Sequence, residues 1–127
     1  MTTLNGSQST IKALMASDIS ICFGNPRTSE MHFLAALNQI KGLRCVSGVQ
    51  ESKLTGAVEE YCHLSGKPAF ILVHLAPILA NGLSNLNNAK KANSGILKIL
   101  GKHATCRLKG DVPLGGPLMS RVYKKPL

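Results

Sequence analysis

The chain has 127 residues, is 44% hydrophobic and 17% charged, and carries a formal charge of +9. That balance describes one globular domain and excludes a disordered or fibrous chain. With no Trp, two Tyr and three Phe, it lacks the aromatic platform on which single-stranded nucleic acid stacks.

The first apolar-periodic segment predicts a short helix over Ile11 to Ala16, capped by Ser9 or Thr10. Ile19 to Phe23 follows as a buried strand, stopped by Gly24-Asn-Pro26. Thr28 or Ser29 would cap a second helix with Glu30 in its first turn, where the helix dipole favours an acid. Met31, Leu34, Ala35 and Leu37 form its stripe, and Gly42 ends it. Leu43 to Ser47 is a second strand, and a third helix runs from about Gln50 to Leu64, closed by Gly66-Lys-Pro68. Ala69 to Val73 is a continuous apolar run of the kind buried on both faces of a parallel sheet. A helix from about Leu79 to Ala92 and a strand from Ile96 to Leu100 complete the alternation. The fold expected is α/β: three layers, with a parallel sheet of about four strands and flanking helices.

Residues 1–109 form this domain, and 110–127 read as a basic, irregular tail. The charge is lopsided in the same direction. Residues 1–89 carry six basic and five acidic side chains, whereas 90–127 carry nine and one. Such a stretch suits either a polyanion partner or plain solvation, so nucleic acid is disfavoured but left open. Cys22, Cys45, Cys62 and Cys106 show no C-x-x-C spacing, and the N-terminus has no apolar leader. The stretch Ala69 to Leu83 is too short and too broken to span a bilayer. A cytoplasmic protein with reduced thiols is expected.

In open α/β sheets, ligands bind outside the carboxyl ends of the strands. Here those ends lead into Gly24 to Thr28, Ser47 to Glu51 and His74 to Ile78. On residue type alone, Glu51 is either a first-turn acid or a site carboxylate. His74 is either a hydrogen-bonded strand-end imidazole or an acid–base group. Thr28 and Ser29 also read as helix caps. Nucleotide-binding glycine loops, a nucleophile elbow and metal-ligand spacings are all missing from the sequence.

Several segments nonetheless match one family in register. Phe23-Gly-Asn-Pro-Arg-Thr-Ser-Glu30 resembles the F-G-N-P-G-[TS]-x-E turn of thiamine diphosphate-dependent enzymes, the acetolactate synthase and benzoylformate decarboxylase group. Gln50-Glu51 with Ser65-Gly-Lys-Pro-Ala69 is similar to that family's glutamate segment and its A-x-G-K-P-A exit. His74-Leu-Ala-Pro and Ala80-Asn-Gly-Leu-Ser-Asn-Leu-Asn-Asn-Ala89 are similar to H-x-x-P-G-x-x-N-x-x-x-N-L-x-N-A. Gly101-Lys-His-Ala-Thr105 is similar to a G-D-H-A-T run. Arg27, Glu60 and Ile78 stand where the family has Gly, Gly95 where it has Pro, and Lys102 where it has Asp.

The resemblance implies a pyrimidine-binding domain. In it, Glu51 would hydrogen-bond N1′ of the cofactor's aminopyrimidine and favour the imino tautomer that accepts the thiazolium C2 proton. His74 would move protons, and Asn25, Pro26, Thr28 and Asn81 would line the cofactor. The family holds the diphosphate and Mg²⁺ in a second domain through G-D-G followed by Asn. The nearest run here is Gly110-Asp111-Val112. The implied object is therefore a half-site, with no metal ligands of its own, needing a diphosphate-binding domain or subunit and inactive alone. A non-catalytic remnant or a basic polyanion-binding protein is the alternative. A weak homodimer through Leu54, Ala57, Val58 and Tyr61 is also expected, if that helical stripe faces outward.

Overall fold

A computed structural model describes residues 3–75 and 79–102. In chain order it contains α1 (Gly6–Ala16), β1 (Ile21–Asn25), a 3-10 turn (Thr28–Glu30), α2 (Met31–Gln39), β2 (Arg44–Ser47), α3 (Glu51–Ser65), β3 (Ala69–Val73), α4 (Leu83–Lys91) and β4 (Ile96–Leu100). The four strands form one parallel sheet in the order β2-β1-β3-β4. Ile78 and the expected tail at 110–127 lie outside the described residues.

Alternate residues of the central strands face opposite sides, so the sheet has two cores. On one face, Ile11 and Leu14 of α1 and Ala36 and Leu37 of α2 cover Cys22, Phe70 and Leu72. On the other, Leu54, Val58 and Cys62 of α3 cover Ile21, Phe23, Ala69, Ile71 and Val73. All five residues of β3 are buried, as its unbroken apolar run requires. α4 packs against α3, where Gly82 lets the chain approach so closely that a Cβ would sit 2.5 Å from Thr55 Cγ2. The layers are therefore helices, sheet, helices.

Several boundaries differ from the sequence reading. Asn5, rather than Ser9 or Thr10, caps α1. Its side chain accepts from Gln8 N–H at 2.9 Å, and Gln8 Oε1 accepts from Asn5 N–H at 3.0 Å. The Thr10 hydroxyl instead donates back to the Gly6 carbonyl inside the helix. β1 runs on through Gly24 and Asn25 because β3 lies alongside, pairing Gly24 with Leu72 and Asn25 with Val73. Gly24 reads as a stop in the sequence but serves close strand approach: a Cβ there would lie 3.0 Å from the Leu72 carbonyl. Neither Thr28 nor Ser29 caps α2. α4 begins at Leu83, after a short helical turn at 79–80.

The α3 stripe does not face outward. Leu54 and Val58 are buried against the sheet, and the Tyr61 ring lies 6.0 Å from that of Phe23. Only Ala57 of the four is exposed. The surface on which a homodimer was expected is thus spent on the domain's own core. Arg27 fits its turn without strain, its φ of −126° being extended backbone open to any residue. Cys22, Cys45 and Cys62 are free thiols, each pushed up in pKa chiefly by burial. No helix among the described residues is long and apolar enough to cross a membrane.

Candidate functional site

The carboxyl end of the sheet gathers two buried side-chain clusters. The first lies between β1 and α3. Glu51 opens α3 directly after β2 and its loop, and only 6% of its surface is exposed. Asn25, the last residue of β1, donates from Nδ2 to Glu51 Oε1 at 2.6 Å. Gly48 N–H donates to the Gly24 carbonyl at 3.2 Å and ties the β2–α3 loop to the same strand. Among the described residues, Glu51 Oε2 carries no hydrogen bond. One carboxylate oxygen is therefore held, and the other is free to meet a donor.

The first turn of α3 is braced from outside. Thr55 Oγ donates to the Glu51 carbonyl at 2.8 Å, and Asn85 of α4 donates to the Ser52 carbonyl and to Thr55 Oγ. These bonds fix the backbone that aims Glu51.

The second cluster joins the ends of β1 and β3. His74 Nδ1 lies 3.0 and 3.1 Å from the two oxygens of Glu30, and 2.7 Å from Ser29 Oγ. The Ser29 hydroxyl donates to Glu30 Oε1 at 2.6 Å, and Arg27 N–H donates to Oε2 at 2.9 Å. An ionised carboxylate only accepts, so its proximity assigns the proton to Nδ1. A neutral His74 then presents Nε2 as its basic nitrogen. Burial by itself would raise the Glu30 carboxyl, but hydrogen bonds from Ser29, Arg27 and His74 outweigh it. They hold the group below its ordinary value of 4.5.

That depression has a sign. A carboxyl whose folded pKa is lowered contributes stability above its unfolded value and loses it as pH falls through the folded value. Urea midpoints should therefore drop from just above pH 4.5 downward, and Glu30→Gln should flatten that acid limb. An unchanged limb in the variant would assign the acid sensitivity to another carboxyl.

The other residues singled out from sequence lie around this end. Pro26 is half-buried, whereas Thr28 and Asn81 are exposed. The structure thus brings Asn25 to Glu51 and gives His74 its own partners, with no hydrogen bond between the two clusters. Sequence reasoning missed Ser29 and Glu30 as partners of His74, and Asn85 as a brace. The signal for Glu30 was an acid just beyond one strand end and a histidine at another, which becomes a contact only once β1 and β3 are neighbours. No group of three or more metal-ligating side chains occurs among the described residues.

A buried carboxylate with one free oxygen, at the mouth of a parallel sheet, defines a ligand-binding α/β domain of the kind found at the strand ends of open sheets. The model of the thiamine pyrophosphate enzyme family's N-terminal TPP binding domain matches residues 4–116. The chain belongs to that family, as its thiamine diphosphate (thiamine pyrophosphate)-binding N-terminal domain.

It is 43% identical over 111 residues to a Mycobacterium tuberculosis chain described as an acetolactate synthase large subunit, IlvX. It is 30% identical over 84 residues to the benzoylformate decarboxylase of Pseudomonas aeruginosa. Those stretches take in 87% and 66% of this chain but only 22% and 16% of the relatives. The chain therefore spans about a fifth of the length of the curated relatives it matches. Among solved structures, benzoylformate decarboxylase from Polynucleobacter necessarius shares the fold with a TM-score of 0.79 at 19% identity, covering 97% of this chain and 23% of that one. The 4-hydroxybenzoylformate decarboxylase of Rhodococcus jostii also gives 0.79, at 24% identity, over 86% of this chain and 20% of that one.

Proposed function

We propose that this chain supplies the pyrimidine half of a thiamine diphosphate site in a 2-oxo acid decarboxylase or acetolactate synthase-like enzyme of the cytoplasm. A diphosphate-binding domain or subunit, carrying the Mg²⁺, supplies the other half. The observation that carries this reading is Glu51, buried, anchored on one oxygen by Asn25 and free on the other. An aminopyrimidine ring nitrogen is a suitable partner for that free oxygen, so the residues present fit the cofactor.

When bound, the cofactor supplies the electron sink for decarboxylation. Glu51 would hold a proton at the pyrimidine N1′, and the low dielectric of its site strengthens that hydrogen bond. His74, fixed through Nδ1 by Glu30 and Ser29, would exchange protons through Nε2. Asn25 and Pro26 shape the turn beside Glu51, while the Thr28 hydroxyl and the Asn81 amide would meet cofactor or substrate at the rim. Exposed apolar residues at this same end support a covering partner. Met31 begins α2 and is 58% exposed, Val49 precedes α3 and is 95% exposed, and Leu83 begins α4 and is 53% exposed.

A binding experiment tests the half-site. Thiamine and thiamine diphosphate should bind the full chain alike, because the chain recognises only the pyrimidine. Glu51→Gln should weaken both by about tenfold, the worth of a charge-assisted hydrogen bond. With Mg²⁺ and pyruvate the chain alone should give no turnover. Robust decarboxylation, or a strong preference for the diphosphate, would overturn the half-site.

A further inference from the structure

β1 and β2 set two cysteines side by side. In their parallel register Cys22 pairs directly with Cys45. Neighbouring strands lie about 4.7–4.9 Å apart, inside the ~4.4–6.8 Å between α-carbons that a disulfide spans. Directly paired residues of adjacent strands also point to the same face. Here it is the α1–α2 face, where Cys22 packs with Phe70 and Leu72, while the next pair, Phe23 and Val46, turns to the α3 face. The third described thiol, Cys62, lies under α3 on that opposite face and donates to the Gly95 carbonyl at 3.6 Å.

The two partners are not alike. Cys45 is exposed on an edge strand, whereas Cys22 is only 3% exposed. They also interact. Burial raises the pKa of Cys22, and the Cys45 sulfur beside it raises it further. Burial raises Cys45 too, but there the S–H of Cys22 donates to the sulfur and offsets part of the rise. Ionisation is thus favoured at the thiol that solvent can reach.

We infer that Cys22 and Cys45 form a redox-active dithiol that closes reversibly to an intrachain disulfide, with a small-molecule disulfide such as oxidised glutathione as the oxidant. The Cys45 thiolate attacks one glutathione sulfur, breaks its S–S bond and releases one glutathione, leaving Cys45 in a mixed disulfide. Cys22 then gives up its proton, attacks Cys45 Sγ and expels the second glutathione. Two protein thiols are oxidised, one glutathione disulfide is reduced, and the two thiol protons end on the two glutathiones. Cys22 needs no path to solvent, because its target is the sulfur next to it. A sparse thiolate slows these steps without setting their equilibrium. β2 pairs with β1 alone among the described strands, so it can shift to admit the bond. Lying at an exposed sheet edge, the product stays within reach of reducing thiols.

The full chain should be equilibrated at about pH 8 in glutathione buffers of graded ratio, quenched with acid, and read by intact mass and tryptic mapping. The expected product has lost about 2 Da, carries no glutathione, and joins peptide 13–27 to peptide 45–53. Dithiothreitol should reverse it. The oxidation equilibrium constant should be at least about tenfold higher for the folded chain than in concentrated urea, where strand register no longer holds the sulfurs together. Cys45→Ser, at an exposed position, should abolish the product and leave Cys22 unmodified. A mixed disulfide on Cys45 that never resolves, a bond through Cys62 or Cys106, or equal constants for folded and unfolded chain would overturn the pair.

Discussion

Replacing Gly101 with alanine should cost the domain about 3 kcal/mol, because it displaces a buried carboxylate from the hydrogen bonds that satisfy it. Gly101 follows β4, and its N–H donates to the Val73 carbonyl at 2.9 Å. Its α-carbon consequently passes directly over the second cluster. A methyl group there would overlap Glu30 Oε1 and lie 3.1 Å from Ser29 Oγ. The backbone cannot retreat without losing its bond to β3, so the carboxylate must move and His74 loses its partner. Urea unfolding would measure the loss, and the ¹⁵N shifts of the His74 ring would report loss of the Nδ1–H hydrogen bond. Gly95→Ala is the control. Its added Cβ would meet Pro68 Cβ at 3.4 Å, an ordinary contact, and should cost well under half as much. Equal stability of wild type and Gly101→Ala would mean that the chain after β4 takes another path.

Phe70→Ala should be at least as damaging, at about 3–5 kcal/mol. Phe70 is fully buried on β3, between β1 and β4 in the sheet, and its ring meets that of Phe33 edge-on at 6.2 Å and 75°. Truncation removes the largest buried side chain of the α1–α2 face and leaves a void that Leu72 and Cys22, fixed by strand register, cannot fill. The His74 ring shifts should stay unchanged here, since that cluster lies at the end of the strands. A loss below about 1 kcal/mol would show that α1 and α2 re-pack freely. The two variants therefore separate damage to the core from damage to the site corner.

What the sequence revealed follows from how local each signal is. β3 is legible because five consecutive apolar residues between Pro68 and His74 suit only a strand buried on both faces. The end of α3 is legible because Gly66 takes the left-handed conformation, with φ of 64°. Glu51 could be proposed from its position at a strand's carboxyl end and from the family motif. Its tether to Asn25 could not, because 26 residues separate them and only the β1–α3 geometry brings them together. Glu30 shows the same limit more sharply. An acid in a first turn has an adequate local explanation, so nothing in the sequence demands a second one. Its burial beside His74, 44 residues on, is a property of strand order. Gly101 likewise is, in the sequence, only the first residue of a family-like run after the last strand; its steric role comes from the carboxylate of Glu30 beside it.

Strand order also governs how the chain reaches this state. β1 sits between β2 and β3, and its residue Cys22 pairs with Phe70, 48 positions later. During synthesis, β1 emerges long before the strand that must cover one of its edges. Until β3 is made, that edge of β1 has no native partner. Every pairing in the sheet is parallel and non-local, and such pairings carry a loop-closure cost before any contact repays it. Folding is therefore expected at the slower end for a domain of this size. The nascent β1–α2–β2 unit, bearing two unprotected thiols on adjacent strands, is the species most exposed to aggregation and to chaperones.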